Sequence, residues 1–160
     1  MIQIAYTNSP IGLLRLTATP THLLRIEFVE AINPPPEEPT ENPIIQTALT
    51  QLSEYFKGER QTFSVPFQLQ GTPFQQRVWQ GLLTIPYGQT LSYGELAQRI
   101  GAPRAYRAVG NANRLNPIPI IVPCHRVIQA NGQLGGYASG VHIKQFLLTL
   151  EQQFRTPELP

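Results

Sequence analysis

The chain's one cysteine, Cys124, stands between Pro123 and His125, and Arg126 follows. A thiol beside an imidazole and a guanidinium is the raw material of a nucleophile. The thiolate attacks and the thiol does not, so a resting pKa of about 8.5 has to be met by a base or by positive neighbours. Such a base needs a third group to hold it. There is no aspartate anywhere in the 160 residues, so that group is a glutamate. In the C-terminal half the choices are Glu95, Glu151 and Glu158. Glu95 follows Ser92 by three residues and is expected to close a helix capping box. Glu151 falls on an amphipathic helix expected over 142–153, with Ile143, Phe146, Leu147 and Leu150 as its core stripe. It is the better partner for His125, although spacing alone fits a solvated helix-end carboxylate better. A cysteine in an apolar run is also more often inert packing. A cysteine hydrolase using Cys124, His125 and Glu151 is a further reading, but adjacent Cys and His are unlike the distant pairs of proteases.

The same counts exclude much. One cysteine forms no internal disulfide and no Cys-cluster zinc site, and with three His no metal is expected. Without aspartate there are no Asp-based triads, EF-hand loops or Asp-metal nuclease sites. No apolar run approaches the roughly 18 residues of a membrane span. Met1-Ile2-Gln3-Ile4 has no basic leader, so no secretory signal is expected, and a free thiol suits a reducing cytoplasm.

The elements around the thiol follow from local signals. Residues 2–6 alternate as a strand. Two β-compatible runs, 12–18 and 22–28, flank the turn Thr19-Pro20-Thr21, which predicts an antiparallel hairpin. A Pro-rich linker over 33–43 precedes a helix capped by Asn42, with Ile45, Ala48, Leu49, Leu52 and Phe56 on its apolar face and Gly58 as its stop. A strand over 63–67 and a hinge at 68–71 close the first half. Thr72-Pro73 opens a second helix with Phe74, Val78, Trp79, Leu82 and Leu83 as core. Ser92 opens a third, reaching Gly101, and a fourth is expected over 104–113. The pair around Gly101 fits a helix-turn-helix, with Ala97 and Gly101 suited to a close crossing. Its second helix carries Ala105, Ala108 and Gly110, small enough to approach a minor groove about 6 Å wide. An apolar run over 118–122 reads as the strand leading to Cys124, and Asn131-Gly132 with Gly135-Gly136 as a mobile loop.

Charge divides unevenly. Residues 1–71 carry four basic groups and seven Glu; residues 72–160 carry eight basic groups and three Glu. The second half therefore holds the excess positive charge, with ten Arg against two Lys in the whole chain. This suits a polyanionic partner as well as it suits an uneven surface.

Pro123-Cys124-His125-Arg126-Val127, after Asn116-Pro117-Ile118-Pro119-Ile120 and before Gly135-Gly136-Tyr137 and Lys144-x-x-Leu147-Leu148, closely resembles the O6-alkylguanine-DNA alkyltransferases. The likeness runs from about Thr72 to Glu151 and, more loosely, into the N-terminal sheet through Ser9-Pro10-Ile11-Gly12. It implies an α+β fold (α/β in the broad sense): a small antiparallel sheet domain of ribonuclease-H-like type over 1–71, a mainly helical domain with a helix-turn-helix over 72–155, and a tail at 156–160. The implied activity is irreversible, single-turnover transfer of an alkyl group from O6-alkylguanine in DNA to Cys124, with O4-alkylthymine as a second candidate substrate and no cofactor.

The resemblance also implies roles. His125 acts on the thiol through a water, Glu151 orients His125, and Asn116 bridges the helix-turn-helix to the active-site strand. Tyr93 donates toward the leaving guanine. Arg107 fills the stack of an extruded base, with Tyr93, Arg104, Ala105 and Arg114 also at the DNA. Pro119, Val127 and Tyr137 wall the pocket, and Ala138 sits at its lid. The partner is double-stranded DNA met from the minor groove by a monomer. Gly94 and Ala130 replace polar residues of some relatives. A DNA-binding sensor without chemistry is the rival reading, though the silent branch of the family lacks the cysteine.

Overall fold

The computed structural model describes residues 1–30, 41–137 and 140–155, so the linker expected over 33–43 lies largely outside them, and Ala138 and the tail at 156–160 do so entirely. The chain forms two compact units. One comprises Met1–Gln70 with Pro117–Ile121, and the other Gly71–Asn116 with Val122–Pro160.

In the first unit, β1 (Gln3–Ser9), β2 (Gly12–Ala18) and β3 (Leu23–Val29) form an antiparallel sheet in sequence order. Alternation sets its faces: Leu14, Leu16 and Ala18 are fully buried, while Arg15 and Thr17 between them are not. Ser9 pairs with Gly12 across Pro10-Ile11, and Gly12 takes φ +110°, which only glycine adopts readily. Helix α1 (Pro43–Phe56) starts as expected, with the Asn42 side chain accepting from the Ile44 and Ile45 N–H groups. Its buried stripe is Ile44, Ile45, Ala48, Gln51, Leu52 and Tyr55. The face is thus turned from the one expected, and Tyr55 takes the central place assigned to Phe56. The polar Gln51 is tolerated inside because its amide is satisfied: Oε1 accepts from Ser64 and Val65 N–H, and Nε2 donates to Ser64 Oγ at 2.6 Å. That clasp holds the segment expected to be a strand over 63–67. It makes only one parallel bridge, Phe67 to Leu23, because Pro66 has no N–H to extend a ladder.

The run over 118–122 is likewise not a strand. Pro117, Pro119 and Pro123 remove alternate donors, and Ile120 sits at φ +76°. For a β-branched residue that conformation costs on the order of 1–3 kcal/mol. Ile26 N–H donates to the Pro117 carbonyl, tying residues 117–121 to the sheet.

The second unit holds α2 (Pro73–Leu82), α3 (Tyr93–Arg99), α4 (Tyr106–Arg114), α5 (Val141–Phe154) and a two-residue parallel pair, β4 (Leu91–Ser92) with β5 (Val127–Ile128). Capping boxes start α2 (Thr72 with Gln75) and α3 (Ser92 with Glu95). Val78, Trp79 and Leu82 are buried, and Trp79 Nε1 donates to the Ala112 carbonyl at 2.9 Å, joining α2 to α4. Leu83 and Phe146, both expected in the core, are each 38% exposed, because each lies one position off its helix's buried stripe.

Helices α3 and α4 form the helix-turn-helix. The close crossing expected at Gly101 is not there, since the nearest atom to a Cβ at that position is Arg77 Nη2 at 3.7 Å; the tight packing is of α2 on α3, at Gly81, where a Cβ would lie 2.7 Å from Ile100 Cγ2. Gly101 instead turns the chain at φ +78°. Helix α4 begins at Tyr106 and not at Arg104, because residues 102–105 close a turn in which Ala105 N–H donates to the Ala102 carbonyl.

Candidate active site

Cys124, His125 and Arg126 occupy one turn of 3-10 helix. Pro123 forbids a ladder before it, and Arg126 N–H closes the turn on the Pro123 carbonyl at 3.0 Å. Val127 then pairs in parallel with Leu91, and Ile128 with Ser92. That short pairing delivers Tyr93, the first residue of α3, to the thiol's neighbourhood.

The strongest feature is a buried ionic clasp. Glu151, on α5, is 1% exposed and accepts from His125 Nε2 at 2.6 Å, from Arg126 Nε at 2.7 Å and from Arg126 Nη2 at 3.1 Å. The Gly88 N–H adds a fourth donor at 3.2 Å, and Arg126 Nη1 donates to the Ile85 carbonyl at 2.7 Å. A buried carboxylate is stable only when paired and fully hydrogen-bonded, and this one is. Burial alone would raise its pKa, but the hydrogen bond from His125 and the bonds and charge of Arg126 hold it well below the usual carboxylate range. Burial pushes His125 below its ordinary value; Glu151 opposes that without reversing it. The imidazole is therefore neutral at pH 7. A charged carboxylate at Nε2 selects the Nε2–H tautomer, so Nδ1 carries the lone pair. Nδ1 is buried and has no hydrogen-bond partner among the described residues.

The thiol itself is 5% exposed. Burial raises its pKa, against hydrogen bonds from Asn116 and Tyr137 and the charge of Lys144. Cys124 Sγ lies 3.7 Å from Tyr137 Oη, and Asn116 Nδ2 also donates to the Val122 carbonyl at 2.7 Å. The expectation that His125 and Arg126 lower the thiol pKa is therefore corrected: both side chains are committed to Glu151, and burial dominates. The positive group that acts on the sulfur is Lys144. It is fully buried, its Nζ donates to the carbonyls of Val127 at 2.6 Å and Leu134 at 2.5 Å, and burial lowers its pKa to about 8. It also lies 5.8 Å from the Tyr93 ring centre.

Tyr93 is half-buried, and burial followed by the Cys124 charge raises its pKa. Gly110 on α4 leaves room for its ring: a Cβ there would meet it at 3.8 Å. An open apolar groove of ≈ 530 Å³ runs past Tyr93, Gly94, Tyr106, Gly110, Gln129 and Ala130. Beside it α4 presents exposed Arg107 and Arg114, with Arg104 exposed and Ala105 half-buried just before the helix. Asn131-Gly132 forms a tight turn, with Gln129 N–H donating to the Gln133 carbonyl at 2.8 Å.

Within the second unit the fold thus gathers Cys124, His125, Glu151, Asn116, Tyr93 and Tyr137 around one centre, with Val127 buried next to it and its carbonyl held by Lys144. Pro119 is buried in the 117–121 segment of the first unit. Ala138 lies outside the described residues. Sequence reasoning missed the Arg126 clasp, buried Lys144 and exposed Tyr106. An arginine and a lysine close to a lone cysteine were visible, but nothing local said which way they point. Among the described residues no group of three His, Cys, Asp or Glu side chains is placed to hold a metal, and no helix is long and apolar enough to cross a membrane.

Two family models match: the DNA-binding domain of 6-O-methylguanine DNA methyltransferase over residues 73–153, and its ribonuclease-like domain over residues 2–69. A methylated-DNA–protein-cysteine methyltransferase of Mycobacterium leprae is 51% identical over 154 residues, covering 95% of this chain and 93% of the relative. A constitutive Bacillus subtilis protein of the same name is 55% identical over 116 residues, covering 72% of this chain and 70% of its own length. Among solved structures, the Mycobacterium tuberculosis O6-methylguanine methyltransferase is 47% identical with a TM-score of 0.85, covering 98% of this chain and 96% of its own. A M. tuberculosis structure described as a complex with DNA is 48% identical with a TM-score of 0.84, covering 94% and 93%.

Proposed function

The chain belongs to the 6-O-methylguanine DNA methyltransferases, and we propose that its second unit performs their chemistry through Cys124, His125, Glu151 and Tyr93. It is a methylated-DNA–protein-cysteine methyltransferase: it repairs DNA by direct reversal, moving the alkyl group of O6-alkylguanine to its own cysteine once. The observation that carries the residue assignment is the Glu151 clasp. A carboxylate held by Arg126 fixes His125 in one tautomer and leaves Nδ1 as the base.

The thiol proton passes to Nδ1 through a water, and Glu151 stabilises the imidazolium that forms. The sulfur then attacks the alkyl carbon. An S–C bond forms, the C–O6 bond breaks, and its electron pair leaves on the purine. Tyr93 donates toward the purine as that charge develops, which lowers the barrier. The proton taken from sulfur ends, after exchange, on guanine. Burial of Cys124 fits this order, because an uncharged resting thiol is spared until substrate and base are both in place. The thioether has no leaving step, so each molecule acts once.

DNA is met by α4. Arg107 enters the stack where the alkylated nucleotide rotates out, and Arg104 and Arg114 contact phosphates. Extrusion costs a few kcal/mol, less for a lesion that pairs badly. The small Gly110 and the apolar groove suit a minor-groove approach by a monomer. Val127 and Tyr137 wall the base, and the chain works in the cytoplasm.

Turnover tests this. With a twofold excess of duplex carrying O6-methylguanine, one equivalent of guanine is restored per protein and the reaction stops. Continued turnover, or tight binding without repair, overturns the assignment.

A further inference from the structure

We infer that Asn113 is a specificity-determining residue of the transfer: its side-chain oxygen accepts a hydrogen bond from the 2-amino group of the extruded O6-alkylguanine and so selects that base. The inference rests on the reading of Cys124 as the acceptor of an alkyl group from a purine.

Tyr106, Gly110 and Asn113 stand at i, i+4 and i+7 of α4 and so share one stripe of the helix. Its outer end is open: Tyr106 is 52% exposed, and Tyr106 and Gly110 both line the apolar groove beside Tyr93. Its inner end is closed: Asn113 is 2% exposed, and its Nδ2 donates to the Cys124 carbonyl at 3.3 Å. The stripe therefore leads from the groove to the residue that carries the thiol. A carbonyl can only accept, so the bond to Cys124 fixes which end of the amide is nitrogen. The oxygen, Oδ1, is buried with no hydrogen-bond partner among the described residues. The carbonyls of Cys124 and Val127 each already accept a bond, from Asn113 Nδ2 and from Lys144 Nζ.

A buried acceptor left unsatisfied costs free energy, and a molecule that brings it a donor recovers that cost on binding. O6-alkylguanine carries such a donor in one place. Alkylation at O6 leaves N1 without its proton, and N9 is bonded to the sugar, so the 2-amino group holds the only N–H bonds of the base. A substrate that leaves a buried polar group of the site unpaired is rejected for that reason. O4-alkylthymine has no N–H at all, so the same oxygen disfavours it.

The test compares two duplexes that differ by that amino group alone, one carrying O6-methylguanine and the other O6-methylhypoxanthine, in single-turnover repair. The unmodified protein repairs the first faster. In N113L that preference shrinks about 3- to 10-fold, the range of a single hydrogen bond. Loss of the bond to the Cys124 carbonyl slows N113L on both duplexes alike. Any difference in extrusion between the duplexes is common to both proteins. Both effects cancel in the ratio of preferences, which a merely structural Asn113 would leave unmoved. An equal preference in the two proteins, or no preference in the unmodified protein, overturns the inference. Should N113L fold poorly, N113A is read in the same way. Failure of the unmodified protein to restore guanine would sink the reading of Cys124 itself, whereas normal repair with an unmoved ratio would sink only this inference.

Discussion

The 3-10 turn at Cys124–Arg126 and the exposed side of α4 sit in the same unit and are built on opposite rules. At the turn, every charged group is buried and wired: Glu151 takes four donors, Arg126 spends three, and Lys144 holds two carbonyls. On α4, Arg107 stands in solvent, and Tyr106 is 52% exposed beside an apolar groove. Chemistry at carbon needs a fixed line of attack, so its side chains are locked before substrate arrives. Contact with a long, deformable polyanion needs side chains that adjust, so these are left free. Substitutions at the turn should therefore damage stability and transfer together, and those on α4 should damage only the reaction with duplex.

The largest effect is expected at Glu151. E151Q leaves Arg126 buried without its counter-charge, which costs about 3–5 kcal/mol of stability. It also removes the tautomer control of His125, cutting transfer by about 10²–10⁴ on duplex and free base alike. Urea melts and single-turnover rates check both. A variant that loses neither would erase the contrast. Acid should act on the same point. Glu151 has a folded pKa held below its ordinary 4.5, so its stabilising contribution is complete above that value and is lost as pH falls below it. Melts from neutral to acid pH should show stability declining below about pH 4.5, and E151Q should flatten that limb.

Next in size is R107A. It should slow repair of duplex about tenfold or more, in keeping with an extrusion cost of a few kcal/mol, while sparing free O6-benzylguanine and leaving the thermal midpoint unchanged. Equal loss on both substrates would move Arg107 from the DNA face to the chemistry. The smallest effect belongs to Y106A. Removing an exposed aromatic at the groove should weaken lesion-duplex binding by about 1 kcal/mol, the low end of base–aromatic stacking, if a base stacks on it. The salt dependence should stay the same, because no phosphate contact is lost. Binding titrations at several salt concentrations resolve the two terms.

The same division explains what could be read from the chain. Signals that act within four residues came through intact: Asn42 caps α1, Thr72 and Gln75 box α2, and Ser92 and Glu95 box α3. Cys124, His125 and Glu151 were also picked out, but spacing favoured a solvated Glu151. Its burial depends on Arg126 and Gly88, 25 and 63 residues away, and no local pattern encodes such partners. Lys144 was hidden for the same reason, since a buried lysine looks like any helical lysine until its carbonyl acceptors are known. The failed strand over 118–122 was a different kind of miss. Alternate prolines remove the donors a strand needs, and that information stood in the run Asn116-Pro117-Ile118-Pro119 from the start. Tyr55 displaced Phe56 because helical spacing fixes a stripe only to within one residue when two aromatics stand side by side.

The most direct measurement is the mass of the intact protein, with peptide mapping, after incubation with one equivalent of duplex carrying O6-methylguanine. The expected result is a gain of one methylene, a methyl replacing the thiol proton, carried by the peptide containing Cys124 and absent from C124S. An unchanged mass alongside unrepaired DNA, or a methyl found on any other residue, would contradict the assignment of Cys124 as the acceptor.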